Sequence, residues 1–241
     1  MFKEYHMIDV CIICARQGSK GVKNKNIKNI LGKALITWSI KQAINSKLFY
    51  KVYVSTDSKT IASISKKNGA EVPFLRSKKL SGDKVSKYLV WKDSLKKIEN
   101  ITGKKIRYFV DLDCTNPIRS KKDIANTIKL LKKNKNADAI VTIAQSKKNP
   151  YFNMLEKTKN KMLKISKNIK KNITSRQSAP KVYDLVANIY CLKAEYLKKS
   201  KHLLEGNIFG YEVNQNKSID IDSKYDLEIV KMFLKKFNKN E

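Results

Sequence analysis

The chain has no apolar run of the roughly 20 residues that a membrane-crossing helix requires. The apolar stretch from Ile8 to Ala15 is short and already carries Asp9. The opening segment MFKEYHMIDVCIICAR also lacks a basic region followed by a long apolar core. These absences predict a cytoplasmic protein with no membrane partner. Cysteine is scarce: Cys11, Cys14, Cys114 and Cys191 form no disulfide framework. Cys11 and Cys14 make a CxxC, but no second CxxC or histidine pair completes a zinc set, so both read as small buried residues. The two histidines, His6 and His202, fall outside every motif, and no side chain stands out as a general base.

Arginine is the most informative shortage. Arg16, Arg76, Arg107, Arg119 and Arg176 stand against 47 lysines, spread over nearly every segment of a chain with net charge +31. A nucleic-acid binder clusters its charge and favours arginine for bidentate contacts. RNA binding is therefore the disfavoured alternative, and the lysine excess reads as solvated surface. In such a background each arginine marks a place that needs a planar guanidinium.

What is present is an alternation of short apolar runs and helix-length amphipathic segments. The 241 residues suit one domain, 1–241. Strands are expected at Val10–Ala15, Val52–Thr56, Ala70–Phe74, Ile106–Leu112, Ala137–Ile143, Tyr183–Leu192 and Phe209–Val213. Helices are expected at Ala34–Lys47, Ser58–Asn68 (capped by Gly69), Val85–Ile98, from Ser120 with Asp123 as its capping partner, and from Ser223 to about Phe237. This order predicts an α/β fold, a single-domain Rossmann-like sheet with mostly parallel pairing. Residues 144–180 break the pattern and read as an excursion used for dimer contact or as a lid.

Two constellations carry chemistry. ARQGSKGVKNKNI follows the first strand. Gly18 and Gly21 allow a tight turn and close backbone approach, and Arg16, Lys20 and Lys25 supply positive charge where α/β sheets bind ligands. The loop is neither GxGxxG nor a Walker A sequence, yet it has the makings of a triphosphate cradle. Near the other end, SIDID places Asp220 and Asp222 two apart on an extended segment, hence on one face. Paired carboxylates suit a hard cation such as Mg²⁺ bridged to phosphate.

The succession ARQGSKG, KNI, GKALITWSI, VSTDS, GAEVPFLR, TNPIR, SRQSAPKVY and SIDIDSKYDLE resembles the CMP-sialic acid synthetases (acylneuraminate cytidylyltransferases) over nearly the whole chain. The resemblance implies a nucleotide-binding α/β sheet, usually dimeric, using CTP and a divalent metal. It implies that Arg16, Lys20 and Lys25 hold the triphosphate, within a nucleotide site that includes Ala15, Gly18, Ser19 and Asn26. It implies that Arg76 contacts the cytidine end, Arg176 and Gln177 approach the sugar, and Asp220 and Asp222 carry the metal, with Asp222 essential. Departures are visible. Where the family reads LLQPTSPLR, this chain reads DLDCTNPIR, so Asp113, with Thr115 nearby, becomes a substrate-site residue of altered role and Asp111 an added carboxylate. Lys87 stands where many members have serine, either as a nucleotide contact or as part of the lysine background, Asp184 replaces an arginine, and Arg119 either pairs with a carboxylate or pins its loop.

The expected reaction is transfer of CMP from CTP to the anomeric hydroxyl of a sialic-, legionaminic- or pseudaminic-type nonulosonic acid, with release of pyrophosphate. An ulosonate (Kdo-type) cytidylyltransferase is the alternative within the same chemistry.

Overall fold

The computed structural model describes residues 7–18, 21–169 and 173–237. The first half runs β1 (Ile8–Cys14), β2 (Asn29–Ile30), β3 (Lys33–Ala34), α1 (Leu35–Ser46), β4 (Val52–Ser55), α2 (Lys59–Lys67), α3 (Lys87–Thr102) and β5 (Ile106–Leu112). The second runs α4 (Lys121–Lys133), β6 (Ala139–Gln145), β7 (Leu155–Lys157), β8 (Leu163–Ile165), β9 (Tyr183–Lys193), α5 (Ala194–Lys199), β10 (Ile208–Glu212) and α6 (Lys224–Phe237).

The central sheet has the order β10-β6-β9-β5-β1-β4. β1 pairs in parallel with both β4 and β5, and β10 in parallel with β6. Strand residues alternate between two packed layers. Cys11 and Ile13 of β1 join the core under α1, α2 and α4, while Ile8, Val10 and Ile12 join the core under α3 and α5. Both faces are thus covered, as the mostly parallel α/β expectation requires.

Two elements depart from that expectation. β9 lies antiparallel between β5 and β6. Its reversal follows from the excursion: β6 ends at Gln145 opposite Tyr183, where β9 begins, so residues 146–182 act as one very long hairpin loop. A chain that re-enters a sheet at the end it left must run backwards. Ala70–Phe74 is not a sheet strand but a single bridge, Tyr53 to Glu71. Pro73 has no N–H with which to extend the ladder.

Helix ends follow local chemistry. Ser120 and Asp123 form a reciprocal capping box at the start of α4. Gly69, at φ +93°, ends α2 in the left-handed region. β1 stands between β4 and β5, so the chain crosses to one side of β1 and then to the other. That switch point opens a crevice at the carboxyl ends of β1 and β5.

Candidate active site

A cleft of about 420 Å³ occupies this crevice. The loop after β1 forms one wall. Arg16 Nη1 donates to Asp83 Oδ1 at 2.5 Å and to the Ser81 carbonyl at 3.4 Å. Asn26 is buried and holds the loop's shape by donating from Nδ2 to the Arg16 carbonyl at 2.9 Å. Ala15 is buried at the base of the loop, bonded to the Ser55 carbonyl. Gly18 has open space around it, whereas Gly21 does not: a Cβ there would lie 2.0 Å from the Asp222 carbonyl oxygen. Only glycine lets these two backbones meet. Ser19 and Lys20, both expected in the triphosphate site, lie outside the described residues.

The aspartate segment forms the facing wall. Ile221, fully buried beside Leu227 and Val230 of α6, anchors it between Asp220 and Asp222. Ile221 N also donates to the Thr115 carbonyl at 3.0 Å. Lys25 Nζ bridges loop and segment by donating to the Ile221 carbonyl and, at 3.1 Å, to Asp222 Oδ1. Asp222 is mostly exposed, 83% at the side chain. Asp220 is half-buried, and its Oδ1 is buried without a hydrogen-bond partner. Burial, then the neighbouring Asp113 and Asp222 carboxylates, push its acid up to about 7. An orphaned carboxylate oxygen beside further carboxylates is what a hard divalent cation satisfies, so the pair fits a metal. Among the described residues no set of three His, Cys, Asp or Glu is arranged for a metal. The pair therefore suits an ion such as Mg²⁺, which keeps water and phosphate oxygens in its shell.

The floor carries an ion cluster. Lys87 opens α3, directly after its N-cap Ser86. Its Nζ lies 2.5 Å from Asp111 Oδ2 and 2.7 Å from Asp113 Oδ2, and 5.5 and 5.3 Å from the ring centres of Trp91 and Tyr190. Asp111 is fully buried and takes a second bond, 3.1 Å, from Trp91 Nε1. Asp113 Oδ1 accepts from Thr115 N at 2.8 Å and Thr115 Oγ1 at 2.9 Å. Burial works against the Lys87 ammonium, but the two carboxylates outweigh it and hold its pKa well above the ordinary lysine value. Burial raises Asp111, while Lys87 and Thr115 overcome burial at Asp113 and lower it. Lys87 is thus part of the cleft and not of the lysine background.

The other expected residues are dispersed. Arg76 lines the cleft, is buried, and donates to the Ser55 carbonyl. Arg119 pins its loop: it bonds Asn188, Ser39 and the carbonyls of Asp113 and Asn116, and among the described residues it pairs with no carboxylate side chain. Arg176 and Gln177 do not reach the cleft. They line a separate pocket of about 330 Å³ with Asn149 and Pro180, where Arg176 donates to the Lys147 carbonyl. Asp184 is exposed near the start of β9, opposite Ala144. All four cysteines are free, and Cys14 and Cys114 border the cleft. Burial pushes the Cys114 thiol up to about 12, which leaves it unreactive. Sequence reasoning missed Asp83 and Trp91. The signal for Trp91 was its spacing, one helical turn beyond Lys87.

A cationic loop facing a carboxylate pair at the switch point of a doubly covered sheet defines a nucleotidyltransferase enzyme. The chain belongs to the cytidylyltransferase family, whose profile, described as "Cytidylyltransferase", matches residues 10–240. It is 40% identical over 225 residues to the CMP-N,N'-diacetyllegionaminic acid synthase of Campylobacter jejuni, covering 93% of this chain and 94% of that one. It is 28% identical over 236 residues to the N-acylneuraminate cytidylyltransferase of Escherichia coli, covering 96% of this chain and 53% of the relative. Among solved structures it shares the fold of a CMP:2-keto-3-deoxy-manno-octonic acid synthetase complexed with CTP, at a TM-score of 0.69 and 16% identity, over 95% of this chain and 99% of the other. Among the described residues no helix is long and apolar enough to cross a membrane.

Proposed function

We propose that this enzyme transfers CMP from CTP to the anomeric hydroxyl of a nonulosonic acid of the legionaminic type, releasing pyrophosphate. The observation that carries the choice of acceptor is the near end-to-end 40% identity to a synthase named for diacetyllegionaminic acid. The sialic-acid relative is matched at 28% identity. The cleft supports the chemistry. The hydroxyl oxygen bonds to the α-phosphorus while the bond to the pyrophosphate oxygen breaks, and catalysis is mostly positioning and charge neutralisation. In this reading Arg16, Lys20 and Lys25 meet the phosphates, and Arg16 and Lys25 exchange their present carboxylate partners for them. Gly18, Ser19 and Asn26 shape the cradle, and Arg76 closes the cytidine end. Asp220 and Asp222 would hold Mg²⁺, which on binding neutralises phosphate charge and acidifies the attacking hydroxyl.

The excursion supports a homodimer. Met154, Leu155, Met162 and Leu163 on and beside β7 and β8 are all exposed apolar side chains. Arg176 and Gln177 sit at the root of the same excursion. They reach the acid only where that segment covers a cleft, its own or a partner's.

The test is pyrophosphate release from CTP and Mg²⁺ with a panel of nonulosonic and ulosonic acids. Release with a legionaminic-type acid, and none when ATP, GTP or UTP replaces CTP, is expected. Release only with an eight-carbon ulosonic acid would move the enzyme to the Kdo-type alternative. No release with any acid, together with no thermal stabilisation by CTP, removes the reading.

A further inference from the structure

The floor cluster breaks a local rule of helix design. A lysine at the first position of α3 sits at the positive end of the helix dipole, and no acidic residue stands in that first turn to offset it. The charge is tolerated because Asp111 and Asp113 reach Lys87 from the end of β5. Such violations mark places where a site demands a residue the local structure does not.

Counting the bonds shows what the cluster leaves free. An ammonium has three N–H donors, and two of those on Lys87 are taken by Asp111 and Asp113. Asp111 has no exposure, and both its oxygens are engaged. Asp113 Oδ1 is filled by Thr115, while among the described residues Oδ2 accepts only from Lys87 and keeps acceptor capacity. Both residues line the cleft, so the third Lys87 N–H and the remaining capacity of Asp113 Oδ2, on atoms 2.7 Å apart, are what the cluster has left for a ligand. The cluster of one cation and two carboxylates has no positive charge to offer an anion. Phosphates are served elsewhere, by Arg16 and Lys25.

We infer that Lys87 and Asp113 together form a specificity-determining pair that reads an uncharged substrate group carrying an N–H donor beside an acceptor, with Asp111 as the positioning residue that holds Lys87. Two parts of the substrates carry such a group. One is the amino-pyrimidine edge of CTP; the other is an acetamido group of the acid, which rests on the acceptor reading above. The geometry is rigid, with Lys87 held over Trp91 and Tyr190 by two carboxylates.

The experiment uses two variants of the full chain. Lys87→Met with Asp111→Leu removes the donor together with its fully buried counter-charge and leaves Asp113 held by Thr115 alone. Asp113→Asn replaces the free acceptor with a donor. Both are checked for an unchanged fold by circular dichroism. Each is assayed by thermal shift and by kcat/KM against CTP and UTP, and against acids that carry or lack acetamido groups. A tenfold or larger fall in one discrimination ratio is expected, the loss of a hydrogen bond to a charged group being worth roughly 10- to 100-fold. The panel that moves names the source. A folded variant that loses activity equally across both panels, or not at all, overturns the inference and leaves the cluster a structural prop. Thermal shift answers even where no acid is turned over, so a wild-type enzyme that binds CTP selectively but turns over no acid strikes only the functional reading.

Discussion

The cleft holds two sets of opposite charges, and they differ in what surrounds them. At the rim, Arg16 faces Asp83 and Lys25 faces Asp222, with Arg16, Asp83 and Asp222 reached by solvent. On the floor, Lys87 sits over two aromatic rings between Asp111 and Asp113, and Asp111 is out of contact with water. Exposed pairs contribute little to stability and exchange partners readily, because water screens both ions. Buried clusters stand or fall as a unit, because each ion left alone bears its full desolvation cost. Rim charges are therefore available to an incoming triphosphate, whereas the floor charges hold one another in place.

The sharpest way to break this comparison is at the rim aspartate. Asp222→Ala should cut turnover by about 10²- to 10³-fold, the range seen on removing one electrostatic stabiliser of a transition state. The melting temperature should hardly move, since the side chain is largely exposed. Activity near wild type would end the metal assignment. The opposite pattern belongs to the floor. Lys87→Met alone strands a fully buried Asp111 and should cost about 3 kcal/mol of stability by denaturant titration.

Gly21→Ala tests the junction between the halves. Its Cβ would collide with backbone at Asp222, so loop and aspartate segment must part. About tenfold lower kcat with a smaller change in melting temperature is expected from such a misplacement. The smallest effect is reserved for Asp83→Ala, which should shift stability by no more than about 0.5 kcal/mol.

Titration sharpens the contrast further. Asp220 has its folded pKa raised to about 7 from the ordinary 3.8, so the folded state holds this proton more tightly than the unfolded one. Well below pH 3.8 both states are protonated and the group is neutral in its effect. Its contribution to stability then falls as pH rises toward 7 and stays low above that. Mg²⁺ should therefore stabilise the protein more at pH 8 than at pH 6, measured as the shift in melting temperature. Asp220→Asn should erase that difference.

Much of this was readable from residues in their order. Ile106–Leu112 is a strand to the residue, because its apolar run is bounded on both sides by polar or turn-forming positions. The Ser120 and Asp123 cap, and the glycine-bearing loop opposite the aspartate pair, were visible for the same reason: each depends on neighbours in sequence or on a recurrent motif. The scarcity of arginine was also a sound guide. Even Arg107, outside every motif, makes a two-pronged bond to Asp9. Strand direction was not readable, since nothing in the apolar pattern of Tyr183–Leu192 distinguishes a forward from a reversed neighbour. Nor was the floor cluster. Lys87, Asp111 and Asp113 each stood out singly, but nothing in the order of residues joins Lys87 to Asp111, 24 residues away. Only the fold brings the end of β5 beneath the start of α3.

The contact between Gly21 and Asp222, with Ile221 tied to Thr115, joins segments from the beginning, middle and end of the chain. What keeps that knot tied is α6, whose Leu227, Val230 and Leu234 pack with Trp38, Ile118 and Val22. The last helix is therefore a latch: none of its described residues lines the cleft, yet it carries one wall of it. A chain cut before Lys224 retains every strand of the sheet and every charged residue discussed here. It should nonetheless be silent, because the two walls would no longer face each other.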